Sequence, residues 1–143
     1  MLAPELAGMA DDWWIISGAA VAMHGVANVE VADVDLLVSL RDAEPLASRI
    51  GIALAPGEGH DLFRSALFGR WPEPPLPVEI MAGFHVRSVN GWSEVWPTTR
   101  EAVTVEGAAV FVPSREELGR MLLGFGRPKD RARAKLLSGV EVH

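Results

Sequence analysis

The chain has 143 residues, 49% of them hydrophobic, and it contains no cysteine. This length and apolar content suit a single domain over 1–143 with an ordinary core, and the lack of cysteine excludes disulfides and thiolate metal sites. The formal net charge of −6 argues against a general nucleic-acid binder, because such proteins cluster Lys and Arg to neutralise phosphates. No signal peptide or membrane-spanning stretch is evident, so we expect a cytoplasmic protein without a membrane contact.

Short helices and strands alternate along the chain, with glycine and proline marking the turns. The first half predicts a helix over Pro4–Ala10, a strand over Trp13–Ile16, a helix over Ala19–His24, a strand from Asp33 to Val38, a helix over Arg41–Ile50, a weak strand over Gly51–Ala55, a loop over Pro56–His60 and a strand over Phe63–Phe68. After a stiff proline-rich connection over Trp71–Pro77, the second half predicts a strand over Val78–Met81, a loop with some strand character over His85–Pro97, a hairpin from Val103 to Val112, a helix from a Ser114–Glu117 capping box to Gly124 and a last helix over Pro128–Leu137. The alternation indicates an α/β fold class.

Two aspartates begin the second strand. Asp33 and Asp35 are two residues apart, so their side chains leave the same face of the strand. Like charges held side by side repel and raise each other's pKa unless a cation lies between them. Carboxylate oxygens of this kind suit Mg²⁺, whose coordination substrate phosphates can complete. The alternative is a pair of solvated aspartates at the end of a strand.

A third carboxylate, Glu79, lies between Val78 and Ile80 in a later strand. If that strand pairs with the one carrying Asp33 and Asp35, Glu79 converges on the same cation or takes a proton from an attacking hydroxyl. The alternative is an ordinary glutamate on an exposed edge strand.

Two further places suit phosphate groups. Ser17 and Gly18 form a small-residue turn that opens a helix, where unpaired N–H groups can receive phosphate oxygens. Arg127 and Lys129 flank the start of the last helix and could contact phosphate or substrate. The alternatives are close packing at Gly18 and solvated charges at the last helix, with Asp130 stabilising its first turn.

Together these motifs resemble the nucleotidyltransferase superfamily of the DNA polymerase β type, and more narrowly its small bacterial minimal members. The resemblance rests on the turn at Ser17-Gly18, the Asp33-Val34-Asp35 pair, Glu79 and the Gly126–Asp130 junction. It implies a mixed, mostly antiparallel sheet flanked by helices. It also implies transfer of a nucleoside monophosphate from an NTP to an acceptor hydroxyl, with Mg²⁺ held by Asp33, Asp35 and Glu79, and the triphosphate bound at Ser17 and Gly18.

Three positions depart from the family pattern. Asn28 and Glu30 stand where relatives carry Arg and Thr, and Leu122 stands where a Lys is common. With fewer cations beside it, a triphosphate is bound less strongly by electrostatic attraction. The alternative function is therefore a catalytically inactive binding protein, such as a toxin–antitoxin component, that forms a homodimer or binds a partner protein. The acceptor stays open between a small molecule, a protein hydroxyl and an RNA end.

Overall fold

The computed structural model describes residues 3–139. After a 3₁₀ helix at Ala3–Leu6, the elements in chain order are β1 (Trp14–Ile16), α1 (Ser17–Met23), β2 (Val34–Val38), α2 (Leu40–Ile50), β3 (Ala55–Gly57), β4 (Phe63–Trp71), β5 (Val78–Ser88), β6 (Gly91–Glu94), β7 (Glu101–Val105), β8 (Ala108–Val112), α3 (Arg115–Phe125) and α4 (Pro128–Leu137). No helix in this part of the chain is long and apolar enough to cross a membrane.

The main sheet has the strand order β1-β2-β5-β4-β3, and β6 also pairs with β5. Strands β2 and β5 are parallel, whereas β1–β2, β3–β4, β4–β5 and β5–β6 are antiparallel. Helices α1, α3 and α4 contact one another, and α2 packs against β4 and β5. A mixed, mostly antiparallel sheet flanked by helices confirms the predicted fold class.

The core forms because the central strands are apolar on both faces. Leu36, Leu37 and Val38 of β2 are at most 1% exposed, and Ile80 and Ala82 of β5 are equally buried. Such unbroken apolar runs are typical of strands with neighbours on both sides. The sheet therefore holds the beginnings of β2 and β5, where the carboxylates lie, in a fixed register.

Several predicted boundaries are wrong. The helix expected over Pro4–Ala10 is a 3₁₀ turn that ends at Leu6. The weak strand expected over Gly51–Ala55 is absent, because Gly51 adopts a left-handed φ of 74° and ends α2. The short strand β3 lies instead over Ala55–Gly57, partly in the predicted loop. Strands β4 and β5 are both longer than predicted, since their mutual pairing extends to Trp71 and Val86.

Strands β7 and β8 form a separate two-stranded sheet, which confirms the predicted hairpin. It joins the main sheet through side chains. Phe111 contacts the Trp13 ring edge-on, with 5.3 Å between ring centroids. The guanidinium of Arg100 lies 3.5 Å from the centroid of the Phe111 ring, and its Nε donates to the Trp13 carbonyl at 3.2 Å. Both sheets thus share one hydrophobic core.

Candidate active site

The three predicted carboxylates lie together at one end of the parallel strand pair. The register of β2 and β5 places Asp35 beside Glu79, and Asp33 immediately precedes β2. One carboxylate oxygen from each residue lies within 4.8 Å of the other two, and all three residues are partly buried. The alternation of side chains along β2 thus brings Asp33 to the same side as Asp35.

The electrostatics of this cluster are those of crowded negative charge. The pKa of Asp35 is raised from 3.8 to about 7, first by burial, then by the charges of Asp33 and Glu79 and a hydrogen bond with Glu79, while Arg127 acts in the opposite direction. Glu79 has a second partner, because Nη1 of Arg70 lies 2.9 Å from its Oε2. Arg70 reaches it because β4 and β5 pair these two residues directly.

This donor set fits a hard divalent cation. Three carboxylates converge from two strands, and hard cations such as Mg²⁺ prefer oxygen ligands. A cation between them would offset the repulsion among the three carboxylates, which adds to the effect of burial on the pKa of Asp35. The cluster is therefore compatible with divalent metal binding.

The turn at Ser17 and Gly18 lies beside this cluster. Ile16, the last residue of β1, pairs with Asp35, so α1 begins next to the carboxylates. Ser17 is buried and has a left-handed φ of 60°, a conformation more usual for glycine. A Cβ added at Gly18 would lie 2.8 Å from Cζ and Nη2 of Arg133, so the absence of a side chain here makes room for that guanidinium.

The two predicted cations of the last helix differ in their surroundings. Arg127 donates through its backbone N–H and Nε to Oδ2 of the fully buried Asp130, at 3.2 and 2.6 Å, and through Nη2 to Oδ1 at 3.0 Å. Its guanidinium also lies 4.8 Å from the Phe63 ring centroid. Lys129 is exposed and makes no hydrogen bond or ion pair among residues 3–139. The geometry thus supports the expectation that Asp130 stabilises the start of α4.

Two cavities flank the carboxylates and share Asp35, Glu79 and Arg127 in their walls. The larger, of about 400 Å³, extends along the later residues of β5 and is bordered by aromatic side chains, among them Phe63, Phe84 and Phe125. The smaller, of about 170 Å³, lies towards the beginning of β2, and α4 contributes Lys129 and Arg133 to its lining. The predicted site residues Ser17 and Gly18 border the larger and the smaller cavity respectively.

Comparison with known proteins adds independent evidence on the fold. No family model matches the chain, and no curated protein does. A provisionally assigned nucleotidyltransferase from Thermotoga maritima superposes with a TM-score of 0.72 at 22% identity, over 87% of this chain and 80% of that one. The solution structure of the antibiotic-resistance factor ANT(2″)-Ia superposes with a TM-score of 0.54 at 13% identity, over 87% of this chain and 72% of that one.

A crystal structure of ANT(2″)-Ia in complex with adenylyl-2″-tobramycin matches with a TM-score of 0.51 at 13% identity, over 88% of this chain and 76% of that one. These neighbours share their overall fold with this chain over most of its length. The chain has the nucleotidyltransferase fold. At these identities the likeness concerns the fold, and the roles of individual site residues stay predictions.

The three residues that depart from the family pattern lie in different surroundings. Asn28 is exposed with a left-handed φ of 64°, which Asn tolerates better than longer side chains. Glu30 exposes its side chain, and its carbonyl accepts a hydrogen bond from Nη2 of Arg133 at 3.4 Å. Leu122 is completely buried in the core, where a lysine would lose its solvation.

Two arginines at the site were not identified from the sequence. Arg70 pairs with Glu79, and Arg133 borders the smaller cavity. Arg70 falls beyond the predicted end of its strand, so its register with Glu79 could not be inferred. Arg133 did leave a signal, because it is four residues after Lys129 and therefore on the same face of a helix.

Proposed function

We propose that the chain is a Mg²⁺-dependent nucleotidyltransferase, which transfers a nucleoside monophosphate from an NTP to an acceptor hydroxyl and releases diphosphate. The observation that carries this proposal is the convergence of Asp33, Asp35 and Glu79 beside the Ser17-Gly18 turn. A purely structural role does not explain why three acidic side chains meet at a partly buried point, where their charges repel.

Asp33, Asp35 and Glu79 would hold the metal. Bound there, Mg²⁺ would supply charge neutralisation at the phosphates and polarise the attacking oxygen. The turn at Ser17 and Gly18 would contact the triphosphate, with Arg127 and Lys129 as further nucleotide contacts. Positioning and charge stabilisation of this kind account for nearly all catalysis in phosphoryl-type transfers.

The reaction forms a bond between the acceptor oxygen and the α-phosphorus and breaks the bond to the β-phosphate. The acceptor proton must leave the oxygen as this bond forms. Glu79 borders the larger cavity and would accept that proton. Asp35 is a second carboxylate that can hold a proton near neutral pH in the metal-free state, because its pKa is raised to about 7.

The acceptor would approach from the larger cavity. Its volume of about 400 Å³ admits a small molecule or a single protruding side chain or nucleotide end, so all three acceptor classes stay open. The ANT(2″)-Ia complex contains an adenylylated small molecule. Small hydroxylated compounds are therefore the first acceptors to screen.

The test is a thermal-shift panel with each NTP, in Mg²⁺ and in EDTA. Ligand that binds only the native state raises the melting temperature by mass action. We expect a Mg²⁺-dependent rise in the wild type that Asp35→Asn abolishes. The control is Glu44→Gln, which removes one negative charge from an exposed position on α2 and should keep the full rise.

Equal rises in melting temperature with NTP in the wild type and in Asp35→Asn would show that the carboxylates do not take part in nucleotide binding. No shift with any NTP would overturn the proposal and favour the catalytically inactive binding protein. Analytical ultracentrifugation and pull-down would then be used to look for a homodimer or a partner protein.

A further inference from the structure

Arg133 is held at the carboxylate site without a carboxylate partner of its own. Its guanidinium lies against the backbone of Gly18, and its one hydrogen bond goes to the carbonyl of Glu30 at a long 3.4 Å. No carboxylate among residues 3–139 forms an ion pair with it. A guanidinium has five N–H donors, so most of those of Arg133 are unused here. Arginines in partly buried positions are usually paired with an anion.

Lys129 extends the same positive surface. It is one helical turn before Arg133 on α4, and both border the smaller cavity together with Gly18 and the three carboxylates of the site. Arg127, the third cation there, is already bound to Asp130. Lys129 and Arg133 are the cations at this cavity that have no carboxylate partner among residues 3–139.

The position of the smaller cavity suits the phosphates that leave when the bond between the α- and β-phosphates breaks. Nucleotidyl transfer places the attacking and leaving oxygens in line across the α-phosphorus. Along the strands, the smaller cavity lies on the Asp33 side of the carboxylates, and the aromatic cavity lies on the Met81 and Phe84 side. If the acceptor enters through the larger cavity, the leaving diphosphate lies in the smaller one, beside Lys129 and Arg133.

We propose that the smaller cavity binds the β- and γ-phosphates of the nucleotide, and that Arg133 is the residue that contacts them. The inference rests on the proposed function. Arg133 supplies a positive charge from α4, whereas the loop before β2 carries the neutral Asn28 and the acidic Glu30. Its planar group can donate two parallel hydrogen bonds to a phosphate, which a lysine cannot. A side chain at Gly18 would displace the guanidinium of Arg133 from its present position.

The experiment measures binding of ATP, ADP, AMP and inorganic tripolyphosphate in Mg²⁺ by calorimetry. Arg133→Gln is compared with Lys135→Gln, which removes one charge from an exposed position on the same helix. We expect Arg133→Gln to weaken ATP and tripolyphosphate binding about ten- to hundredfold, the range for hydrogen bonds to charged groups. AMP binding should change less than about twofold, and Arg133→Lys should restore part of the ATP affinity.

Three results would overturn the inference, and they separate it from the proposed function. If Arg133→Gln binds ATP as tightly as Lys135→Gln, while Asp35→Asn abolishes binding, the inference fails and the function stands. Equal loss of AMP and ATP affinity would make Arg133 a structural residue. Absence of NTP binding in the wild type would overturn both. Melting curves without ligand show whether each variant is folded, and Arg133→Lys replaces Arg133→Gln if the latter is not.

Discussion

The carboxylate of Asp35 links the folding of the chain to its proposed chemistry. Burial and the neighbouring charges of Asp33 and Glu79 raise its pKa from 3.8 to about 7. In the metal-free protein, the native state therefore binds more protons here than the unfolded state between these two values. The stability that this group contributes is fully present below pH 3.8 and is lost as the pH rises through about 7.

Asp35→Asn should therefore stabilise the metal-free protein above pH 7. A pKa raised by about three units corresponds to at most about 4 kcal/mol, and solvent screening at this partly exposed group reduces the effect to about 1–2 kcal/mol. Urea unfolding in EDTA at pH 8 and at pH 4 measures it, and the gain should vanish at the lower pH. An equal gain at both pH values would mean that Asn improves packing and that the buried negative charge of Asp35 is not the cause.

The acidic part of the site could be predicted from the sequence, whereas much of its cationic part could not. The two-residue alternation of a strand puts Asp33 and Asp35 on one face. Glu79 is expected to join them if its strand pairs with theirs, as the family resemblance implies. Arg70 reaches Glu79 through the register of β4 and β5. Arg133 reaches Gly18 through the packing of α4 against α1. Both depend on contacts between distant segments, which local sequence patterns do not encode.

The start of α3 also depends on a contact with a distant segment, which the local sequence pattern did not predict. The S-x-x-E pattern predicts a capping box, and the Ser114 side chain does accept a hydrogen bond from the Glu117 N–H at 3.1 Å. The Glu117 carboxylate does not return to Ser114. It accepts hydrogen bonds from the backbone N–H groups of Thr98 and Thr99, both at 2.8 Å, and from their hydroxyl groups. Glu117 thereby anchors the segment before β7 to α3.

Glu117→Gln should lower the free energy of unfolding by about 2–3 kcal/mol, because an amide cannot accept these bonds as an ionised carboxylate does. Burial acts to raise the pKa of Glu117, but the hydrogen bonds from Thr99 and Thr98 outweigh it and the pKa is lowered from 4.5. Its contribution is therefore present above pH 4.5 and is lost as the pH falls through the lowered pKa. Urea unfolding at pH 7 and in acid measures both effects.

The matched control is Glu116→Gln in the same helical turn. Glu116 is exposed, so its loss should cost only about 0.3–1 kcal/mol through the helix dipole. Equal losses for Glu116→Gln and Glu117→Gln would show that the anchor to Thr98 and Thr99 contributes little.

At the scale of the whole molecule, the second sheet depends on the first. Strands β7 and β8 form only a hairpin, and an isolated two-stranded sheet is marginally stable. Their buried residues Val110 and Val112 belong to the same core as Ile15 and Leu36 of the main sheet. The sequence predicted both the hairpin and a single domain, but it could not show that Arg100 connects the two sheets, because that contact joins three separate segments.

We expect residues 3–139 to unfold in one transition, with equal calorimetric and van't Hoff enthalpies, because both sheets share this core. Arg100→Ala should lower the free energy of unfolding by about 1–3 kcal/mol without splitting the transition. It removes the contact with the Phe111 ring and the hydrogen bond to Trp13. Arg100→Lys should recover only part of the loss, because lysine has no planar guanidinium to stack on the ring. Two separate transitions in the wild type would mean that the β7–β8 hairpin folds independently of the main sheet.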